Sequence, residues 1–504
     1  MHPIHKKSST VKAGQYRSVH LTTQLSKVVE RALVPSLLPY LLPGWGPNQF
    51  AYSKGRGYRD AAAFLVCTWL WHLENGQKVG LYLSDVSGAF DKVEAARLIQ
   101  KCKAVGVPSN LLRFIQSYLA PRTGYVVVEG MLSKASPMHD MVWQGSVLGP
   151  MLWNLFYGDA RFPLQEHDAT EIVFADDLNA FLAFPAQAPS EDVLGSLRNL
   201  QNACHDYGDA NRVEFDATKE HFVILHRTQP MGDDFRLLGA LYDCKLVMDN
   251  HCSACASQCR WMVHSLVKLR FFFPVHDLVR LYKAHVLPRL EAQTPSVYHA
   301  SVTVLDNLDG VQRLFLRSVG LDDKTSLTEY NLAPLSARRD IAMLGLLHKC
   351  ALREAPPQLL DLFPLAPTTP HPNTRLHARR HPLQLTNKAH GRRTAVFHRS
   401  LFGLVTVYNL LPPGAVTGDV KHLQSSLQYL LKRVASTNYD NTWQLVLSRP
   451  HLHTLQNLRL HSRVDSWELP PRSPRPRQAR HNRRGPRQRR TRNNDVTATT
   501  PTNP

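Results

Sequence analysis

Two aspartate-bearing segments, far apart in the chain, constrain this protein more than any other feature. Asp85 follows the apolar run 81–83, and the pair Asp176 and Asp177 follows the apolar run 172–174. Each run has the composition of a short buried strand, so each acidic segment is expected at a strand end. Carboxylate oxygens suit hard divalent cations, and two such ions can hold both oxygens of a phosphoryl displacement. If the strand ends meet, the pattern predicts a site for two Mg²⁺ ions, with Asp85 and Asp176 as metal ligands.

Each acidic segment also has a plain structural interpretation. Asp85 could cap a helix that begins nearby, and Asp176 with Asp177 could form a polar hairpin turn. A solvated turn does not explain the apolar residues on both of its sides, at 172–174 and 180–184. We therefore predict a catalytic group of three carboxylates, in which Asp177 helps to shape the site.

The charge of the chain favours a polyanionic partner. Lys and Arg number 60 against 40 Asp and Glu, which gives a net charge of +20, and nucleic acid is the partner that this favours. Ten arginines lie between Arg472 and Arg492 in a segment with almost no apolar residues. We expect residues 470–504 to be a disordered tail that binds nucleic acid loosely or directs nuclear import.

The sequence predicts neither secretion nor a membrane span. The start of the chain lacks the apolar segment of a secretory leader. The longest apolar run, 61–71, is shorter than the roughly 20 residues that cross a bilayer. Eight scattered cysteines indicate reduced thiols, without disulfides. The predicted location is the nucleus, with a cytoplasmic stage.

Hydrophobic periodicity predicts an α+β fold. Helices are expected at 20–42, ending in a turn at 43–47, and at 60–73, 93–105, 110–119, 149–156 and 193–207. Strands are expected at 81–83, on both sides of the Asp176 turn, and at 222–226 and 235–241. From about residue 257 onward only helical spacing remains.

In its order of segments the chain resembles the reverse transcriptase of non-LTR (LINE-type) retrotransposons, across nearly all of residues 1–320. A lone Asp-Asp or Gln-Gly pair would be weak evidence, but the segments follow one another in the family's order. They are Pro3-Ile4-His5-Lys6-Lys7, Tyr16-Arg17, Gln49-Phe50-Ala51-Tyr52, Lys54-Gly55-Arg56-Gly57, Asp85 to Asp91, Gln144-Gly145-Ser146-Val147-Leu148-Gly149-Pro150, Phe174 to Asp177, and Phe235 to Gly239.

This resemblance implies a right-hand polymerase fold, with an antiparallel sheet in the fingers and palm and a helical thumb. The expected domains are fingers and palm at 1–245, the thumb at 246–320, a helical basic C-terminal extension at 321–469, and the tail at 470–504. The chain begins inside the first finger motif, so we expect it to be N-terminally truncated from a longer element.

The resemblance also implies roles in binding a deoxynucleoside triphosphate. Lys6 and Arg17 match finger residues that neutralise the triphosphate, although both could be ordinary surface cations. An aromatic ring at Phe90, packed under the sugar, leaves no room for a 2′-hydroxyl; alternatively, Phe90 only fills the core. Gln144 and Gly145 resemble the loop beside the templating base, where glycine allows close backbone approach.

Three further roles follow from the same resemblance. Lys219 resembles a lysine that protonates the departing pyrophosphate. Leu238 and Gly239 fall at the hairpin that grips the primer. Arg56 and Arg59 could contact the template backbone, or could equally be solvated loop cations.

The function that the resemblance implies is RNA-directed DNA polymerisation. The substrates would be a dNTP, a primer DNA with a free 3′-hydroxyl and a template RNA, with two Mg²⁺ ions as cofactors. A separate endonuclease would have to nick the target. The alternative is a catalytically degenerate remnant that folds and only binds nucleic acid.

Overall fold

The structure, a computed structural model, describes residues 1–6, 11–12, 15–216, 218–367, 381–392, 394–437 and 441–449. The described residues belong to one compact unit, and residues 450–504 lie outside them. The expected tail at 470–504 therefore stays a prediction.

Among the described residues, twelve strands form one four-stranded sheet and four two-stranded sheets, and every pairing between these strands is antiparallel. The strand order of the sheet is β10-β3-β9-β8. In chain order the strands are β1 (His2–His5), β2 (Tyr16–Val19), β3 (Gln77–Leu83), β4 (Arg122–Gly124), β5 (Val127–Val128), β6 (Met131–Leu132), β7 (Ser136–Met138), β8 (Thr170–Phe174), β9 (Asp177–Pro185), β10 (His221–Leu225), β11 (Phe235–Leu237) and β12 (Ala240–Tyr242).

Seven α-helices accompany the strands in the first half of the chain. In chain order they are α1 (Gln24–Trp45), α2 (Tyr58–Glu74), α3 (Ala95–Ala104), α4 (Ser109–Leu119), α5 (Gly149–Tyr157), α6 (Arg161–Gln165) and α7 (Ser190–Asn211), with 3₁₀ helices at Ala89–Lys92 and Gly158–Ala160. Both α2 and α7 pack against β3, so this central strand is buried from Lys78 to Leu83. The mixture of helices and strands confirms the predicted α+β class.

Helices form every element from Asp249 to Leu445 in the part of the chain that the structure describes. They are α8 (Asp249–Val267), α9 (Val275–His285), α10 (Leu287–Ala292), α11 (Thr294–Val297), α12 (Val302–Ser318), α13 (Asp323–Thr328), α14 (Leu335–Ala351), α15 (Pro357–Leu362), α16 (Ala395–Arg399), α17 (Leu401–Asn409) and α18 (Val420–Thr437), with 3₁₀ helices at Lys268–Phe271 and Asn441–Leu445. None of the described helices has the length and apolar character needed to cross a bilayer.

The first helix corrects one prediction. We expected a turn at 43–47, but α1 continues to Trp45 and contains Pro35, Pro39 and Pro43. Each proline removes one intrahelical hydrogen bond. The three prolines recur every fourth residue and are all exposed, so water can hydrate the carbonyls that lose a partner. The opposite face packs Leu37, Leu41 and Trp45 into the core, which stabilises the helix despite the lost bonds.

The strand expected at 235–241 is instead a hairpin. β11 and β12 pair through Leu237 and Ala240, leaving Leu238 and Gly239 as a two-residue turn. Both turn residues have positive φ, 50° and 82°, the conformation of a type I′ turn. Glycine adopts it freely at the second position, and the chain reverses where the apolar pattern alone predicted continuation.

Candidate active site

The two acidic segments meet at one end of the sheet. β3 pairs with β9 so that Leu83 lies opposite Asn179, and the Ser84 backbone N–H and hydroxyl both donate to the Leu178 carbonyl, at 3.2 and 2.7 Å. Asp85 thus leaves β3 beside Asp177, the first residue of β9. Because the strands are antiparallel neighbours, residues distant in sequence are adjacent here. The predicted meeting of the two acidic segments is confirmed.

The three carboxyl groups interact strongly. Burial, followed by the negative charges of Asp176 and Asp85, raises the pKa of Asp177 to about 7. Burial also raises the pKa of Asp176, with Asp85 as an added cause. Like charges in a partly desolvated site favour protonation or a bound cation. The end of the sheet is therefore poised to accept positive charge.

Lys219 supplies a positive charge at this site. Its Nζ donates to Asp85 Oδ2 and lies 3.0 Å from Asp216 Oδ2. The hydrogen bond to Asp85 is the main reason that the pKa of Lys219 is raised. The Asp216 backbone N–H also donates to the Asp85 carbonyl at 2.9 Å. The predicted leaving-group lysine thus lies against a predicted metal ligand.

Buried side chains fix the turn that carries Asp176. Ala175 has φ 62°, which is uncommon for a residue with a Cβ. Gln49 Oε1 accepts from the Ala175 N–H at 3.1 Å and from the Ala51 N–H at 2.9 Å, while its Nε2 donates to the Ala175 carbonyl at 3.4 Å. Trp153 Nε1 donates to the same carbonyl at 3.0 Å. Buried side chains therefore hold both the backbone N–H and the carbonyl of Ala175.

The hairpin of Leu238 and Gly239 shares a cavity with the acidic site. A cavity of about 510 Å³ is bordered by Asp85, Asp177 and Lys219 on one side and by Leu238 of the hairpin on another. Gln293 Nε2 donates to the Leu238 carbonyl at 3.0 Å. The structure thus brings the residues predicted for the primer grip to the residues predicted for catalysis.

Phe90 and the 144–145 loop lie beside one another. Phe90 is half-buried and stacks on Trp153 with ring centroids 5.7 Å apart, and its carbonyl accepts from the Val142 N–H at 2.9 Å. The Gln144 carbonyl accepts from the His20 N–H at 2.7 Å. Gly145 has φ 102°, and a Cβ there would lie 3.1 Å from the His20 carbonyl oxygen, so glycine is needed for this approach.

Glu30 on α1 holds the end of the same loop through two hydrogen bonds. Its Oε2 accepts from the Val147 and Leu148 backbone N–H groups, at 2.7 and 3.0 Å, just before α5 begins. A carboxylate at a helix N-terminus satisfies unpaired donors and complements the helix dipole. This buried glutamate on α1 fixes the start of α5, and with it the Gln144 loop.

The predicted triphosphate contacts lie on the β1–β2 hairpin. Arg17 is on β2 opposite Ile4, and its positive charge partly offsets the rise that burial causes in the pKa of Asp176. Lys6 follows β1, and its positive charge partly offsets the rise that burial causes in the pKa of Asp91. Tyr52 also lies near, since burial, then the charge of Asp176, raises its pKa. Arg17 and Tyr52 therefore flank the acidic site, whereas Lys6 lies toward Asp91.

The two arginines predicted to contact the template are placed differently. Arg56 donates to the Pro47 and Gln49 carbonyls, and burial lowers its pKa. It therefore braces the loop before Gln49. Arg59 donates to the Tyr58 hydroxyl at 3.1 Å and borders a second, larger cavity.

The donor set fits divalent cations. Among the described residues, no group of three or more His, Cys, Asp or Glu side chains is arranged as a ready metal cluster. The convergent groups Asp85, Asp176 and Asp177 offer oxygen atoms alone, and burial followed by their mutual repulsion raises the pKa of Asp177. Oxygen donors with excess negative charge are what Mg²⁺ requires.

Comparison with known proteins agrees with this geometry. The profile of the family "Reverse transcriptase (RNA-dependent DNA polymerase)" matches residues 4–250. Residues 4–250 therefore match a reverse transcriptase domain. The RNA-directed DNA polymerase from mobile element jockey of Drosophila melanogaster is 32% identical over 183 residues, which cover 34% of this chain and 20% of that protein. Its namesake from Drosophila funebris is 24% identical over 332 residues, covering 60% and 35%.

The chain spans a fifth to about a third of the length of these two relatives. Among solved structures, telomerase from Candida albicans in complex with a fragment of telomeric RNA is 11% identical, with a TM-score of 0.34, covering 65% of this chain and 51% of that one. A score this low decides nothing about the fold.

Sequence reasoning missed four contributors to the site of the reverse transcriptase domain. Glu30 and Asp216 act through contacts that no local pattern announces. Tyr157 is buried, and burial, followed by charges that include all three aspartates, raises its pKa well above normal. Gln49 lay inside a quoted family segment, and its position directly before the apolar pair Phe50-Ala51 could have marked it as a buried polar group.

Proposed function

We propose that this chain is an RNA-directed DNA polymerase, which adds deoxynucleotides to a primer DNA 3′-hydroxyl on an RNA template. The observation that carries the proposal is the convergence of Asp85, Asp176 and Asp177, of which Asp85 and Asp177 border one cavity with the Leu238 hairpin. The names of the relatives support the choice of RNA template and DNA product.

Asp85 and Asp176 would hold two Mg²⁺ ions. When bound, these ions would activate the primer hydroxyl and neutralise charge on the leaving pyrophosphate. Asp177 would adjust the charge of the site. Lys219 would exchange its contact with Asp85 for one with the phosphates once the ions compensate the carboxylate.

The surrounding residues would select and orient the nucleotide. Arg17 and Lys6 would bind the triphosphate, and Gln144 with Gly145 would contact the base pair being formed. Phe90, held against Trp153 at 5.7 Å, would exclude a 2′-hydroxyl, because a ring supported from behind cannot move aside.

The proposed architecture is the right hand of a polymerase, with the domain boundaries predicted above. The antiparallel sheet supports it, as do the described elements from Asp249 to Leu445, which are all helical. Nuclear location and an endonuclease acting separately complete the proposal, and both are supported only by the basic composition and the family.

Primer extension tests the proposal. Purified protein is given poly(rA)/oligo(dT), labelled dTTP and Mg²⁺, beside Asp176→Asn and the matched control Asp209→Asn on the exposed face of α7. We expect extension by the wild type and control, and a loss of roughly 1,000-fold in Asp176→Asn, since metal ligation contributes several kcal/mol to the barrier. Binding without extension by the wild type would favour the degenerate remnant.

A further inference from the structure

A second cavity lies in the region whose role the proposed function leaves unassigned. It has a volume of about 1,080 Å³ and is bordered by the first turn of α2 and by α14 and α18. Lys349 on α14 joins these walls, because its Nζ donates to the Gly55 carbonyl and to Asp60 Oδ1, each at 2.7 Å. We call this cavity the α14–α18 groove.

Uncompensated positive charge lines the groove. Arg338 pairs with Glu291, and Lys349 pairs with Asp60. Arg59, Lys421 and Lys432 border the same groove, and none of them forms an ion pair with a carboxylate among the described residues. Glu354 is the remaining acid in the lining. The walls therefore carry more positive than negative charge, and three of the cations lack a carboxylate partner among the described residues.

Two further features indicate a polyanion with flat groups. Burial, then the positive charges of Arg338 and Lys432, lowers the pKa of Lys283, so cations crowd this side of the groove. Tyr429 lies in the lining with 41% of its surface exposed. An aromatic ring among unpaired cations is the pattern of proteins that bind single-stranded nucleic acid.

We infer that the α14–α18 groove binds a single nucleic-acid strand, with phosphates at Arg59, Lys421 and Lys432 and an unpaired base stacked on Tyr429. A single strand fits better than a duplex, because the bases of a duplex are already stacked and cannot reach a tyrosine in a groove wall. The inference deepens the proposed function and rests on it for the source of the strand, which is the unpaired template.

Charge reversal tests the phosphate contacts. The double variant Lys421→Glu/Lys432→Glu is compared with Lys103→Glu/Arg113→Glu, which makes the same charge change at exposed positions of α3 and α4 outside the groove. Labelled oligo(rA) and oligo(dA) are the probes, across a series of salt concentrations. For the groove variant the dissociation constant should rise roughly tenfold, and the salt slope should fall by about 1.4, the value for two contacts with single strands.

An aromatic pair tests the stacking. Tyr429→Ala should weaken binding of the same oligonucleotides by roughly tenfold, whereas Tyr429→Phe, which keeps the ring, should bind like the wild type. Binding of a blunt RNA–DNA duplex should change in neither. A comparable loss on the duplex, or an equal effect of the α3–α4 control on single strands, would overturn the inference.

The assay separates this inference from the proposed function. If the wild type fails to extend primers but the groove variants lose oligo(rA) binding, the groove stands and the polymerase proposal fails. If the wild type extends primers and the groove variants bind both oligonucleotides normally, the polymerase stands and the groove inference fails.

Discussion

Two hairpins border the cavity of the candidate active site, and they are held in different ways. β8–β9 carries Asp176 in a turn without glycine, where Ala175 has φ 62°. β11–β12 turns through Leu238, which has φ 50°, and Gly239. Each turn therefore holds one residue with a Cβ in a left-handed conformation, which costs about 1 kcal/mol.

The two turns differ in the number of hydrogen bonds that hold them. Three hydrogen bonds with Gln49 and Trp153 hold the backbone N–H and carbonyl of Ala175. One hydrogen bond, from half-buried Gln293, holds the Leu238 carbonyl. The charged turn must stay in place against the repulsion of three carboxylates. In the proposed function the apolar turn has only to follow a primer, for which a looser tether suffices.

The largest effect is expected from removing the support of the charged turn. Gln49→Ala leaves the buried N–H groups of Ala51 and Ala175 without their acceptor, which costs about 2 kcal/mol of stability. The turn then moves, and kcat should fall roughly 100-fold, since misplacement by about 1 Å is enough for that loss. Unfolding in urea and steady-state extension of oligo(dT) on poly(rA) measure the two effects.

Gln116→Ala provides the control, because it makes the same substitution at an exposed position of α4. It should change neither stability nor kcat. A Gln49→Ala enzyme that keeps wild-type kcat would show that the turn holds its place without Gln49, and the contrast between the two hairpins would lose its basis.

The next effect concerns the charge itself. A raised folded-state pKa makes ionisation of Asp177 unfavourable in the native protein, so stability declines as pH rises from about 4 to about 7 and the penalty is full above about 7. Asp177→Asn removes this penalty. In EDTA at pH 8 the variant should therefore be more stable by about 2 kcal/mol, an amount already reduced for solvent screening.

Thermal unfolding at pH 8 and pH 4 measures this gain. At pH 4 both proteins carry an uncharged group at 177, so the difference should nearly disappear. Asp209→Asn, at an exposed position, should show no gain at either pH. A variant less stable than wild type at pH 8 would mean that the Asp177 carboxylate is stabilised by contacts that outweigh the repulsion.

The hairpins also show which parts of the site were predictable. Asp85 and Asp176 could be placed at strand ends because the apolar runs before them are local features of the sequence. Their meeting was inferred from the second acidic segment, and the register of Leu83 with Asn179 bears it out. Glu30 and Tyr157 could not be assigned, because the loop that Glu30 holds lies more than a hundred residues away and Tyr157 acts through burial.

Helix α1 shows the opposite limit. Local rules assign prolines such as Pro43 to a helix end, and the rule fails because spacing of four puts all three prolines on the solvent side. The reversal at Leu238 and Gly239 was missed by the apolar pattern alone, although the resemblance implied a hairpin there. Propensity describes one residue at a time, whereas the outcome depends on which face the remainder of the fold covers.

The smallest effect is expected at the apolar turn. Gln293→Ala removes one hydrogen bond to Leu238, worth about 0.5–1.5 kcal/mol, so the KM for primer–template should rise roughly threefold while kcat stays unchanged. Steady-state extension at varied oligo(dT)–poly(rA) concentration separates the two constants, with Gln116→Ala again as control. If kcat falls instead and KM does not move, then this hairpin positions reacting groups as the Asp176 turn does, and it is not a tether for the primer.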